Sequence, residues 1–573
     1  MNQLDWLLLL STLGFIILYG IYKNRNDKSM ESYLLGNQSL PWYHVGLSVM
    51  ATQASAITFL SAPGQAYTDG MRFVQFYFGL PFAMLVLCIT FVPIFHRLKV
   101  YTAYEYLEKR FDSRVRIFTA ILFLISRGLS TGISIYAPSI ILSTILGWDI
   151  SWTNIIMGGL VLTYTIVGGT KAISHTHLQQ MLFVTVAMFL AGFLIVKALP
   201  QNIGFSDALA IADQSGKLNT INYHFDPNDR YNIWSGLIGG FFLQLSYFGT
   251  DQSQVSRYLT GGSIRESRMG LIMNGLLKIP MQFCILTIGV LVFVFYQFNA
   301  EVPIFFNKVE TDKLKTSQYA RQYKELESKH EKLSREKMSQ TFMIQTALES
   351  KNEAQISNYK FQLKTSNDSL ASIRKSTVSL IKKNNPDADV SDINYVFLRF
   401  VLDHLPHGLI GLLIAVIFSA SMGSIASAYN SLASTSMVDI VQKVRKLPIS
   451  ELKEVQTVKI LTFMWGVVCI FIASFAHQFG SSMLELVNIL GSWFYGVILG
   501  IFIVAFYFKT IGSNAIFWGA LIAQFLVIYI WKLNVVAFLW LNPIGCLLVV
   551  FFSFVIQFFH PKAEINTETA LKN

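Results

Sequence analysis

The segment LSVMATQASAITFLSAPGQ (residues 47–65) is apolar enough to enter a bilayer. Yet Thr52, Gln53, Ser55, Thr58 and Ser61 punctuate it, and Pro63-Gly64 closes it. In hydrocarbon an unsatisfied backbone group costs several kcal/mol, so a weakly helical polar stretch survives only against protein or a water-filled cavity. The reading that decides the fold is therefore a membrane span expected to break. A second segment of this kind, IWSGLIGGFFLQLSYFGTDQSQ (233–254), carries Gly236, Gly239, Gly240, Gln244 and Gly249. Interrupted helices at matching positions of two halves are the sequence pointer to an inverted-repeat transporter. The alternative is that small residues only let helices pack closely.

The rest of the chain supports the bilayer reading. Of its 573 residues 53% are hydrophobic and only 14% charged, with a mean hydropathy of +0.46. Apolar runs of about 20 residues, the length of a spanning helix, recur along most of it. The expected class is an all-α polytopic membrane protein with thirteen spans: roughly 4–23, 42–66, 72–97, 114–147, 151–168, 177–199, 232–250, 268–298, 392–438, 457–477, 483–508, 512–531 and 535–559. The fourth and ninth exceed one straight crossing, so tilt or extra surface turns must absorb the excess. The first run lacks a basic leader and a small-residue cleavage site and reads as a retained span. Cys88, Cys284, Cys469 and Cys546 all fall in apolar runs, with no metal-site spacing.

With the N-terminus outside and the C-terminus inside, basic residues collect in the cytoplasmic loops, such as HRLKVYTAYEYLEKRFDSRVR (96–116) and VQKVRKLPISELK (441–453). This matches the positive-inside rule and explains the net charge of +11 without a nucleic-acid partner. Residues 300–391 break the pattern. They are polar, carry KLKTSQYARQYKELESKHEKLSREK (313–337), and are rich in helix formers with charge pairs at helical spacing. One long helix or a helical hairpin outside the membrane is expected, either a solvated insertion or a surface that docks a protein partner or acts as a lid.

The expected organisation is a first helix (1–25), a first repeat (42–199), a second repeat (232–298 and 392–508), the extracytoplasmic insertion (300–391), two C-terminal spans (512–559) and a cytoplasmic tail (560–573). The serine-rich stretch SASMGSIASAYNSLASTS (419–436) ends the ninth span. Ala420, Ser424, Ser427, Ser431 and Ser434 share one helix face. Hydroxyls and freed carbonyls are ligands for a hard monovalent cation; close packing by small residues is the alternative. Lys278, about 15 Å into its span, is a functional candidate as an intramembrane charge. Asn488 offers an amide to a solute, and His177 opens the sixth span. No HExxH motif or deep carboxylate pair suggests an enzyme.

The motifs VPIFHRLKVYTAYEYLEKRF (92–111), GGTKAISHTHLQQ (168–180), YFGTDQSQVSRYLT (247–260) and NSLASTSMVDI (430–440) resemble those of the sodium/solute symporters, which carry glucose, iodide, monocarboxylates, proline or sialic acid. TQASAITFLSAPGQAYTDG (52–70) is most similar in character to the iodide, monocarboxylate and vitamin branch. The resemblance covers about residues 1–298 and 392–559. It implies a leucine-transporter-type core of two inverted five-helix repeats, alternating access and sodium as the coupling ion, with no other cofactor. It further implies a sodium site at the carbonyls of Ala51, Ala54 and Ala420 and the hydroxyl of Ser424, with Ser427 as a further candidate. A solute pocket would be formed by Gln53, Tyr77, Tyr247, Phe248, Lys278 and Asn488.

Two departures stand out. The family usually has an aspartate where His177 stands and a hydroxyl where Ala426 stands, which points to one sodium rather than two. The expected function is a sodium-coupled symporter importing a small polar or anionic organic solute through a bacterial inner membrane. Proton coupling through His177, or a transporter-like sensor acting through 300–391, are the alternatives.

Overall fold

The computed structural model describes residues 1–23, 38–98, 100–386, 388–444, 451–479 and 482–559, without the side chains of 17, 19–23, 167–175, 451–452 and 479. The expected tail 560–573 lies outside the described residues.

The described chain is helical, and its only extended pairing is the isolated bridge between Leu40 and Gly261. After α1 (Gln3–Lys23), the first expected break is present: α2 (Trp42–Gln53) and α3 (Ala56–Asp69) are separated by Ala54 and Ser55, both in non-helical conformations. Pro63-Gly64 does not close the span. The helix runs through Pro63 to Asp69, and Gly64 abuts the backbone of Ile393, so here the small residue serves packing. A 3-10 turn (Gly70–Tyr77) leads into α4, which is Leu80–Val86 continued by the π turn Leu87–Phe91 and by Val92–Leu98. Next come α5 (Ser113–Leu146) and α6 (Ile150–Lys197).

The 48 residues of α6 are far too many for one crossing. The Tyr164 hydroxyl lies 3.0 Å from Thr176 Oγ1, although twelve helical residues advance about 18 Å. The chain must bend between them, which sets the shorter apolar stretch Ile150–Ile166 apart from the membrane-length stretch Thr176–Lys197.

A short helix, α7 (Phe205–Gln214), precedes the second broken span. This span differs from its expectation. Its glycines do not break it: Gly236 and Gly240 lie where a side chain would collide with Gln75 O and crowd Phe76 O, so they admit the 70–77 turn. The interruption falls later, at Asp251, between α8 (Gly240–Thr250) and α9 (Gln252–Tyr258). The connection between the expected spans 232–250 and 268–298 therefore begins as a helix with all seven of its residues buried. α10 (Ile264–Gln297) follows.

The insertion is a hairpin rather than one rod: α11 (Ala320–Glu349) and α12 (Glu353–Asn384) pack against each other. Lys337 reaches back to donate to Tyr296 O at the end of α10, 3.0 Å away. Burial holds the Lys337 ammonium down to about 8.

The excess length of the ninth span is resolved by a break, not by tilt. A short helix, α13 (Val396–His404), ends before Gly408, whose φ of +88° favours glycine. α14 (Leu409–Thr435) then starts under a cap from α1, with Asp5 Oδ1 accepting from Gly408 N at 2.6 Å. From Leu413 to Thr435 every residue of α14 is buried, the mark of a helix surrounded by protein. The rest is α15 (Glu451–Ala473), the bent pair α16 (Met483–Ser492) and α17 (Tyr495–Tyr507), α18 (Ser513–Leu533) and α19 (Leu541–Phe559). Among the described residues eight helices are long and apolar enough to cross a membrane, nine with the α16–α17 pair bent by 41°. Interruption of the two broken spans is one reason that number falls short of thirteen.

Candidate functional site

A cavity of about 80 Å³ opens where the first break meets α5, α8, α14 and the α16–α17 bend. Thr52, Gln53 and Ser55 of the break line it, with Tyr77 from the 70–77 turn and Ser424 from α14. Tyr247, Asn488 and Tyr495 complete one wall.

The break sets the chemistry. Ala54 N donates to Met50 O and Ser55 N to Gln53 O. The carbonyls of Ala51 and Ala54 thus lose the amide donors that a continuous helix would supply. Both alanines and Ala420 are buried. Ser424 donates its hydroxyl hydrogen to Ser421 O at 3.0 Å, which leaves its oxygen lone pairs toward the cavity. Neutral carbonyl and hydroxyl oxygens suit a hard monovalent cation, and among the described residues no His/Cys/Asp/Glu cluster offers a transition-metal site.

Of the residues expected to bind solute, Gln53, Tyr77, Tyr247 and Asn488 line the cavity. Asn488 Nδ2 gives one hydrogen to Leu484 O, which leaves its second N–H and its side-chain carbonyl for a ligand. Gln53 Oε1 has no partner. Lys278 and Phe248 are not in the lining. Both are fully buried: the Lys278 ammonium sits 5.7 Å from the Tyr77 ring centroid, and Phe248 packs edge-on to Tyr247. Ser427 also stays out of the lining, because its hydroxyl accepts from Arg257 Nε at 3.1 Å. His177 is fully buried and outside the cavity lining, with Nδ1 3.1 Å from Ser48 Oγ.

The sequence reading missed Arg127. It lines the cavity from α5 beside Ser130 and Ser134, and its guanidinium lies 3.6 Å from Asp251. Asp251 occupies the second break, where it caps α9 through Ser253 N and accepts from Tyr495 OH at 3.1 Å. A lone arginine inside SRGLSTGISIY (126–136) was a usable signal, since intramembrane charges are functional candidates by default. At the end of the bundle away from the insertion, Asp439 accepts from Arg116 and Thr102, at 2.7 and 2.8 Å. Glu108 joins Arg116 and Lys443 there, at 2.6 and 2.8 Å.

Two interrupted helices facing a polar mid-bundle cavity define the architecture of a secondary transporter. The chain belongs to the sodium:solute symporter family, whose model matches residues 33–321 and 381–523. It is 32% identical over 293 residues to the human sodium/iodide cotransporter, covering 51% of this chain and 44% of that one. It is 34% identical over 260 residues to the human sodium-coupled monocarboxylate transporter 1, covering 45% of this chain and 42% of that one. The chain thus spans less than half the length of these curated relatives. A longer match is the sodium/sialic acid symporter NanT of Aliivibrio fischeri, 26% identical across 97% of this chain and 93% of the relative. A solved sodium-coupled sialic acid symporter, substrate-bound and outward-open, shares the fold with a TM-score of 0.75 at 22% identity, covering 98% of this chain and 99% of that one.

Proposed function

We propose that the chain is a sodium-coupled symporter that imports a small polar or anionic organic solute by alternating access. The carrying observation is the pairing, in one cavity, of a neutral oxygen-rich break with a buried arginine. Sodium would be held by the carbonyls of Ala51, Ala54 and Ala420 and by Ser424 Oγ. Ser427, engaged by Arg257, is left out of that set. Arg127 would meet the anionic group of the solute, with Gln53, Asn488, Tyr77 and Tyr247 orienting the rest. A bidentate guanidinium suits a carboxylate, and Asp251 holds it in place between transport cycles.

Coupling follows from differential binding: an ion that stabilises the state able to bind solute raises solute affinity, and the reverse holds equally. The thirteen-span topology, the two repeats at 42–199 and 232–508, the outward N-terminus, the cytoplasmic tail and a bacterial inner-membrane location belong to the same reading. The basic loops and the bacterial relative support them.

The test is uptake into proteoliposomes from a panel of small carboxylates, inorganic anions and sugars. An inward sodium gradient should drive accumulation of at least one anion, while a potassium gradient should not. Equal uptake with either cation refutes the proposal. A variant lacking the α11–α12 hairpin should still transport; loss of uptake in a correctly folded variant would favour a signalling role for 300–391.

A further inference from the structure

Arg257 on α9 is fully buried, yet its only hydrogen bond goes to the neutral Ser427 hydroxyl. Nη1 and Nη2 have no partner, and among the described residues no carboxylate stands within ion-pair distance. Asp251, on the same short segment, is committed to Ser253, Tyr495 and Arg127. A guanidinium does not give up its proton in proteins, and an unpaired buried charge is penalised by several kcal/mol. Some negative charge must therefore compensate it.

A second set of buried polar groups packs at the same place. His177 and Gln180, one turn apart on α6, both pack on Gly423 of α14. A side chain there would collide with Gln180 Oε1 and lie 2.9 Å from His177 Nε2. Ser427 is the next turn of α14. Oε1 of Gln180 is buried without a partner, while the His177 imidazole meets the Gly423 backbone as well as Ser48 Oγ. The Gln180 amide turned over presents its NH2 to the same turn. Four side chains thus converge on the Gly423–Ser427 turn with donors in surplus and no anion among them.

We propose that this pocket binds a small inorganic anion, a halide such as chloride, as the counter-ion of Arg257. The ion lies behind α14 from the solute cavity, contacts the guanidinium, the Gln180 amide and the Ser427 hydroxyl, and fastens α6 and α9 to α14. It is a structural ligand of the fold and does not depend on which solute is carried.

The experiment is thermal unfolding of the purified full-length protein, without solute, at fixed sodium and ionic strength, in gluconate, chloride and bromide salts. Chloride and bromide should raise the midpoint by about 2 °C over gluconate in a saturable manner, with radioactive chloride binding at one per chain. His177→Asp supplies a fixed carboxylate to Arg257; this variant should fold in gluconate and lose both the halide shift and chloride binding. Arg257→Gln should lose them too, and if it does not fold, His177→Asp decides. Identical midpoints in all three salts, or a halide shift that survives His177→Asp, would overturn the proposal. Because the assay contains no solute and holds sodium constant, its failure is distinct from a failure of symport.

Discussion

The two interrupted spans do the same geometric job with opposite electrostatics. Between α2 and α3 the chain opens over Ala54 and Ser55, and the groups set free are carbonyls and hydroxyls without net charge. Between α8 and α9 it opens at a single residue, Asp251, and that carboxylate is locked by Arg127, Tyr495 and Ser253. A neutral nest can accept a cation and release it, because nothing fixed neutralises the ion permanently. A break closed by its own buried ion pair holds its shape without a ligand and offers an arginine to the cavity. The first break is thus suited to the coupling ion, the second to structure and to recognition of an anion.

Removing the lock should produce the largest effect. Asp251→Ala strips the cap of α9 and strands Arg127, and breaking a buried pair from one side costs about 3 kcal/mol or more. A large drop in thermal midpoint is expected, with Asp251→Asn intermediate because it retains an acceptor. Equal stability of all three proteins would show that the second break is not held by charge.

Arg127→Gln should lower the thermal midpoint by less than Asp251→Ala, because Asp251 keeps Ser253 and Tyr495, and should weaken binding of an anionic solute by about 10- to 100-fold, the range for a hydrogen bond to a charged group. Equilibrium binding measures it, and unchanged affinity would remove the arginine from the recognition site. Gln53→Leu, which deletes an unpartnered acceptor at the neutral break, should cost about 1 kcal/mol of solute binding, or roughly fivefold, in the same assay.

The last effect, one of pH, concerns the insertion. Asp389 accepts from Tyr136 OH at 3.0 Å, and burial raises its carboxyl to about 6 from 3.8. The folded state binds this proton more tightly than the unfolded chain. The group therefore lowers stability as pH rises from about 4 to about 6, and restores it as pH falls. Hydrogen exchange of segment 388–395 should show protection increasing towards pH 4, and Asp389→Asn should flatten that slope. A slope unchanged in the variant would place the titrating group elsewhere.

The sequence was legible where bilayer physics applied. Residues 47–65 announced a break because polar side chains interrupt an apolar run, and the break lies inside that window. It was misleading at 233–254, where four glycines looked like helix breakers. Whether a glycine ends a helix or admits a neighbour depends on what packs against it, here the 70–77 turn, and a local pattern carries no such information. Asp251 was overlooked because one carboxylate at the edge of an apolar run resembles a loop boundary; only its contact with Arg127, far away in sequence, makes it part of a span. Lys278 failed as a cavity residue for a related reason: depth in the membrane can be counted in residues, but the direction it faces depends on the packing of α10 against α2 and α3.

The central claim is that the neutral break, completed by Ser424, captures sodium and thereby raises solute affinity. The direct measurement is solute affinity as a function of sodium concentration, in the purified protein and in Ser424→Ala. Loss of one hydroxyl ligand, about 1 kcal/mol, should shift the half-saturating sodium concentration upward by about fivefold, with solute affinity restored at high sodium. Superimposable sodium curves for the two correctly folded proteins would contradict the account.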